Sequence, residues 1–153
     1  MTIEGNIAVM REIFRAVEQR DSDRHRVDAQ LVRQLFHSDV EFHWPPFLPY
    51  GGVSRGLDPE GPTWADTWNP LQPTDAERRM DPRVVAATNT EVVILWRQRG
   101  VSSSGAHLDT EVLGLYELQA EKLARAQMFY FDPTAVTSFL NNAMSIARGG
   151  KVP

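Results

Sequence analysis

Apolar positions recur along this chain in two rhythms, helical at both ends and stranded in between. Over residues 3–20, Ile7, Met10, Ile13, Phe14 and Val17 fall on one helical face, while Glu4, Arg11, Arg15 and Glu18 fall largely on the other. The polar run DSDRHR at 21–26 breaks this pattern and reads as a loop. Leu31, Val32, Leu35 and Phe36 then predict a second, shorter helix. After the turn-forming pair Ser38-Asp39 the rhythm changes to a period of two, with Val40, Phe42 and Trp44 alternating against Glu41 and His43. Pro45, Pro46 and Pro49 have no amide proton for a sheet ladder, so they end that strand in a rigid, extended path. Gly51-Gly52 and Gly56 let the chain turn back.

Farther along, Trp64 and Trp68 are four apart and flanked by Pro62 and Pro70, which predicts a short helix near 63–69. Strands then dominate. One is expected over Glu77–Ala87, with Pro82 at an edge or bulge, and one over Glu91–Gln98, where Val92, Ile94 and Trp96 alternate with Val93, Leu95 and Arg97. Two more are expected at 106–118 and 122–131, joined at Gln119-Ala120-Glu121. Asp132-Pro133 opens a closing helix, an N-cap acceptor followed by proline at the first helical position. Val136, Phe139, Leu140, Ala143 and Met144 supply its buried face, and Gly149-Gly150 ends it. No repeat or internal boundary interrupts residues 1–153, so one domain is expected, frayed at 1–2 and 149–153. Helices, then antiparallel hairpins, then a helix, make an α+β fold. A curved sheet wrapped on the N-terminal helices would enclose a cone-shaped apolar cavity, with the proline stretch and the two tryptophans at its mouth.

Composition narrows the function more than the fold. At 153 residues the chain can bury a full core, and 42% hydrophobic with 24% charged residues is ordinary for a soluble protein. With no cysteine, disulfides and thiolate metal sites are out of reach. A net charge of −4 offers no basic footprint for nucleic acid or anionic membrane. The opening MTIEGNIAVMREIF is amphipathic and carries Glu4 and Glu12, unlike a secretory leader, so a cytoplasmic protein is expected.

Three stretches resemble a known family: LFHSDVEFHWP with Gly56 following, the hairpin VVAATNTEVVILWRQRG, and the ending EVLGLYELQAEKLARAQMFYFDPTAVTSFL. Their order is similar to that of SnoaL-like proteins in the nuclear-transport-factor-two-like (cystatin-like, cone-shaped) superfamily. The turn at Gln119–Lys122 departs from the Asp-Gly-Lys often found there, and the polar loop at 21–26 is longer. Relatives of that fold include polyketide cyclases, ketosteroid isomerase, scytalone dehydratase, limonene-epoxide hydrolase and non-catalytic binding or assembly domains. The resemblance implies a small hydrophobic ligand in the cone and a homodimer packed through the sheet. It implies no cofactor.

Candidate chemistry follows from residue types and from that resemblance. Asp132 matches the position where the family's cyclases carry an acid/base aspartate, and an apolar rim would raise its pKa toward neutrality. Its sequence context favours a plain helix cap. His43 is a candidate general base, yet period-two alternation sets it opposite Val40, Phe42 and Trp44, hence outward if those three face the cone. The ketosteroid isomerase base would fall at Trp44, before Pro45, and its oxyanion donor near Gly114, so that mechanism is not expected. His107, Asp109 and Glu111 share a strand face within reach of Arg97, either toward the cavity or, by the default of an antiparallel sheet, away from it. Trp44, Tyr50, Trp64, Trp68 and Tyr130 are the expected ligand lining, with tyrosine hydroxyls setting orientation. The four histidines, His25, His37, His43 and His107, have no ligand spacing, so no metal is expected. The reading is a cofactor-free SnoaL-like enzyme performing cyclisation, isomerisation, dehydration or hydration, with Asp132 leading and His43 or Asp109 assisting. The alternative is a non-catalytic ligand-binding or dimeric accessory protein using the same cone.

Overall fold

The computed structural model describes residues 1–19, 28–56, 71 and 74–149, with side chains through 143. The chain begins with helix α1 (Ile3–Glu18), opened by the Thr2 hydroxyl accepting from the Gly5 amide. Its predicted stripe is the one that packs: Met10, Ile13 and Phe14 are buried. Helix α2 (Ala29–Leu35) is capped by Asp28, whose carboxylate accepts from the Gln30 and Leu31 amides. Strand β1 (Phe36–Trp44) starts earlier than expected, because Ser38-Asp39 form an irregularity inside the strand, between the Phe36 and Glu41 pairings, and not a turn before it. Beyond the prolines the chain returns as a short strand that the sequence reading did not separate, β2 (Gly52–Arg55).

The strand expected over Glu77–Ala87 is shorter. Asp75–Arg78 form a helical turn, α3, and the strand β3 spans only Arg83–Ala87. The break falls at Asp81, which adopts φ 46 just before Pro82, a backbone no strand accommodates, and whose carboxylate is held by Arg99 at 2.9 Å. Strands β4 (Glu91–Val101), β5 (His107–Gln119) and β6 (Lys122–Tyr130) follow as long hairpins, the last joined by Ala120 and Glu121 at positive φ. Helix α4 (Pro133–Gly149) closes the chain and buries Val136, Phe139 and Leu140.

The six strands form one curved sheet in the order β2-β1-β6-β5-β4-β3. All neighbours are antiparallel except β1 and β6, which run parallel, so the sheet is mixed where hairpins alone were expected. Helix α1 lies across one face, with Phe14 edge-on to Trp96 at 6.2 Å and to Tyr116 at 5.9 Å. That contact decides the inner face, which carries Val40, Trp44, Val92, Ile94, Trp96, Gln98, Val112, Tyr116, Ala126, Met128 and Tyr130, all buried. Asn6 ties the start of α1 to the β3–β4 turn by donating to the carbonyls of Thr88 and Asn89 at 3.3 and 2.8 Å. The helix expected near 63–69 and the loop at 21–26 lie outside the described residues.

Candidate functional site

The register of the sheet assembles the site. Trp96, Val112 and Tyr130 form one row across β4, β5 and β6 on the inner face, and Gln98 with Thr110 forms the next row toward the Trp44 end of the sheet. At that end, Pro45 to Gly51 fold into successive tight turns, with Leu48 and Gly51 amides bonded to the carbonyls of Pro45 and Leu48. The turns swing Tyr50 back over β1, where its ring stands edge-on to Trp44 at 5.3 Å and its hydroxyl lies 2.7 Å from that of Tyr130. Three of the expected lining residues, Trp44, Tyr50 and Tyr130, therefore meet. Trp64 and Trp68 lie outside the described residues.

The chain's third tyrosine joins them from the side. The Tyr116 ring folds back over Gly114, so that a Cβ there would overlap the phenol. Burial pushes all three phenols well above the ordinary tyrosine range. Tyr130 is shifted mainly by desolvation, then by Tyr50 and Tyr116 nearby; Tyr116 is shifted by desolvation, partly opposed by the Trp96 indole. Neutral phenols in such a place act as hydrogen-bond donors and not as bases. The sequence reading did not single out Tyr116 or Gln98 for the site; continuing the Val92, Ile94, Trp96 alternation by one step would have put Gln98 on the same face.

The acid/base candidates fall elsewhere. Asp132 is exposed, and its carboxylate accepts from the Ala135 amide at 3.0 Å, the geometry of a cap. We expect Asp132→Ala to cost about 1 kcal/mol of stability and Asp132→Asn only a few tenths, because asparagine also caps; urea unfolding of both variants measures this. His43 pairs with Val53 and Gln127 on the outer face, half-buried, with its Nε2 atom enclosed and unpartnered. Asp109 also faces outward, its side chain 50% exposed and bonded to Arg97 at 2.7 Å, with Glu111 beside it at 3.3 Å from the same arginine. Among the described residues, no three His, Asp or Glu side chains are grouped to hold a metal ion.

A separate cleft of about 460 Å³ opens at the far end of the sheet, between Arg33, Phe36, His37, Ser38, Ala120 and Lys122. The Lys122 ammonium there caps α2 by donating to the Arg33 carbonyl at 2.9 Å. No helix among the described residues is long and apolar enough to cross a membrane.

No family model matches the sequence, and no curated protein does. Solved structures do match. TerC, crystallised with polyporic acid, is 16% identical, with a TM-score of 0.68 over 90% of this chain and 98% of its own. A nuclear-transport-factor-two-like protein of unknown function from Burkholderia pseudomallei is 17% identical, with a TM-score of 0.68 over 92% and 98%. A putative SnoaL-like polyketide cyclase from Jannaschia is 14% identical, with a TM-score of 0.66 over 90% and 94%. The chain shares the fold of these nuclear-transport-factor-two-like and SnoaL-like structures. Its inner face brings aromatic rings and tyrosine hydroxyls together.

Proposed function

We propose that this protein takes a small, flat, mostly apolar metabolite bearing a carbonyl into the cone and polarises that oxygen with the Tyr50–Tyr130 pair. The observation that carries the reading is the hydroxyl pair itself, 2.7 Å apart on the buried inner face. Either hydroxyl can donate to the other. When Tyr50 donates to Tyr130, the Tyr130 proton is directed to a ligand oxygen. A carbonyl held this way gains negative charge as its α-carbon gives up a proton to a base supplied by the solvent, a water or hydroxide, and a preorganised donor is worth most at that moment. The step needs no cofactor, and enolisation of this kind underlies cyclisation, isomerisation and dehydration next to a carbonyl. TerC, a neighbour in fold, was crystallised with polyporic acid.

A second reading, a receptor using the same cone without turnover, is favoured by one observation: Asp132, Asp109 and His43 all lie away from the inner face. The two are separated with 1-tetralone, a bicyclic ketone, in D₂O. Accelerated loss of the proton signal α to the carbonyl, slowed about tenfold or more in Tyr130→Phe, is the expected result. Saturable binding without any faster exchange decides for the receptor. Absence of binding overturns both.

A further inference from the structure

Gln98 stands out among the inner-face residues. Its side chain is 0% exposed, and among the described residues neither its amide nitrogen nor its amide oxygen has a hydrogen-bond partner. A buried amide left open at both ends is destabilising, because it loses water on folding and receives nothing in return. An apolar residue would serve the core better: on the same strand face, Val92 and Ile94 are buried and shape it without such a cost. Gln98 is also not a stray at the sheet edge. It sits on β4 directly opposite Thr110, itself buried, one row beyond Trp96, Val112 and Tyr130.

We infer that Gln98 is a specificity-determining residue of the cone, placed to read a hydroxyl on the ligand at the end opposite the oxygen held by Tyr130. An amide presents a donor and an acceptor side by side, and a hydroxyl is the small group that answers both, donating to Oε1 and accepting from Nε2. The spacing suggests the size of the ligand. Two strand steps and one row separate the backbones of Gln98 and Tyr130 by on the order of 12 Å. A ligand that reaches both side chains therefore carries its two oxygens at the ends of a ring system of at least bicyclic size. The substrate class is thus a flat bicyclic or larger ketone carrying a remote hydroxyl. This rests on the cone being the ligand site.

The test uses three matched probes at pH 6: tetralin, 1-tetralone and 6-hydroxy-1-tetralone, titrated by calorimetry against the wild type, Tyr130→Phe and Gln98→Met. Methionine keeps the unbranched shape and removes both polar atoms. In the wild type the hydroxyl is expected to improve affinity about tenfold over 1-tetralone, the worth of a well-made buried hydrogen bond. Gln98→Met should erase that gain, leave 1-tetralone within about twofold, and raise the melting temperature by roughly 2–4 °C as the unsatisfied amide disappears. A purely structural glutamine behaves differently: Gln98→Met then melts lower and weakens both ketones alike, which overturns the inference. Wild type that binds 1-tetralone through Tyr130 but gains nothing from the hydroxyl also overturns it, while leaving the carbonyl site standing. If none of the probes binds, the cone reading and this inference fall together.

Discussion

Gly114→Ala is expected to destabilise the fold by roughly 2 kcal/mol, lowering the melting temperature by about 4–8 °C. Gly114 lies in the middle of β5, opposite Ile94 on one side and Met128 on the other, on the inner face. An added methyl there meets the phenol of Tyr116, which lies back along its own strand over the glycine. The ring has little freedom to yield. It is buried, and Phe14 from α1 stands edge-on against it at 5.9 Å and 86°. Moving Tyr116 therefore pushes on the contact that seats α1 on the sheet, and the cost is one of overpacking and not of glycine's backbone freedom. A double-mutant cycle isolates the cause: in a Tyr116→Ala background the same Gly114→Ala change should cost much less. Equal costs in the two backgrounds would show that the overlap is not what makes the glycine necessary.

The second large effect is alkaline. All three tyrosines of the chain, Tyr50, Tyr116 and Tyr130, are held neutral by burial, with pKa values raised well above the ordinary phenol. A raised acid binds its proton more tightly in the folded chain than in the unfolded one. Its contribution to stability is therefore complete below about pH 10, where unfolded tyrosine is still neutral, and is lost as the pH climbs toward the folded values. Each pH unit beyond 10 costs up to about 1.4 kcal/mol per tyrosine. Absorbance at 295 nm should show no tyrosinate while the circular dichroism remains native, and then a single cooperative rise as the chain unfolds. A phenol that titrates near pH 10 in the native protein would place that ring outside the closed site, and Tyr130→Phe would identify whether it belongs to the pair.

Acid conditions act on a different residue. Glu18, at the end of α1, has its pKa raised chiefly by desolvation, partly offset by the Met80 amide that donates to it. The folded state thus disfavours its ionised form, a penalty present at neutral pH and relieved as the carboxyl protonates. Glu18→Gln keeps an acceptor for Met80 and should be slightly more stable than wild type at pH 7, with the difference closing near pH 4. Thermal melts of the two proteins across that range check the sign.

The sequence by itself determined the periodic parts of this protein. The α1 stripe, the hairpins from Glu91 to Tyr130 and the Asp132-Pro133 helix start all follow from local rules, because side-chain period and capping chemistry depend only on neighbours along the chain. It also named Trp44, Tyr50 and Tyr130 as companions. Only the tertiary structure decided which side of the strands faces inward. Alternation groups Asp109 with Glu111, and Trp96 with Gln98, but it does not say which group a helix will cover; the docking of Phe14 against Trp96 and Tyr116 settles that, and it leaves Asp109 and His43 outside. Nor do local rules foresee that Asp81 turns to positive φ beside an ion pair with Arg99, 18 residues away, so that β3 spans only Arg83–Ala87. The hydroxyl pair and the open amide of Gln98 are likewise properties of partners far apart in sequence, 80 residues in the case of Tyr50 and Tyr130. Burial and hydrogen-bond satisfaction are decided between strands, and no window along a single chain contains them.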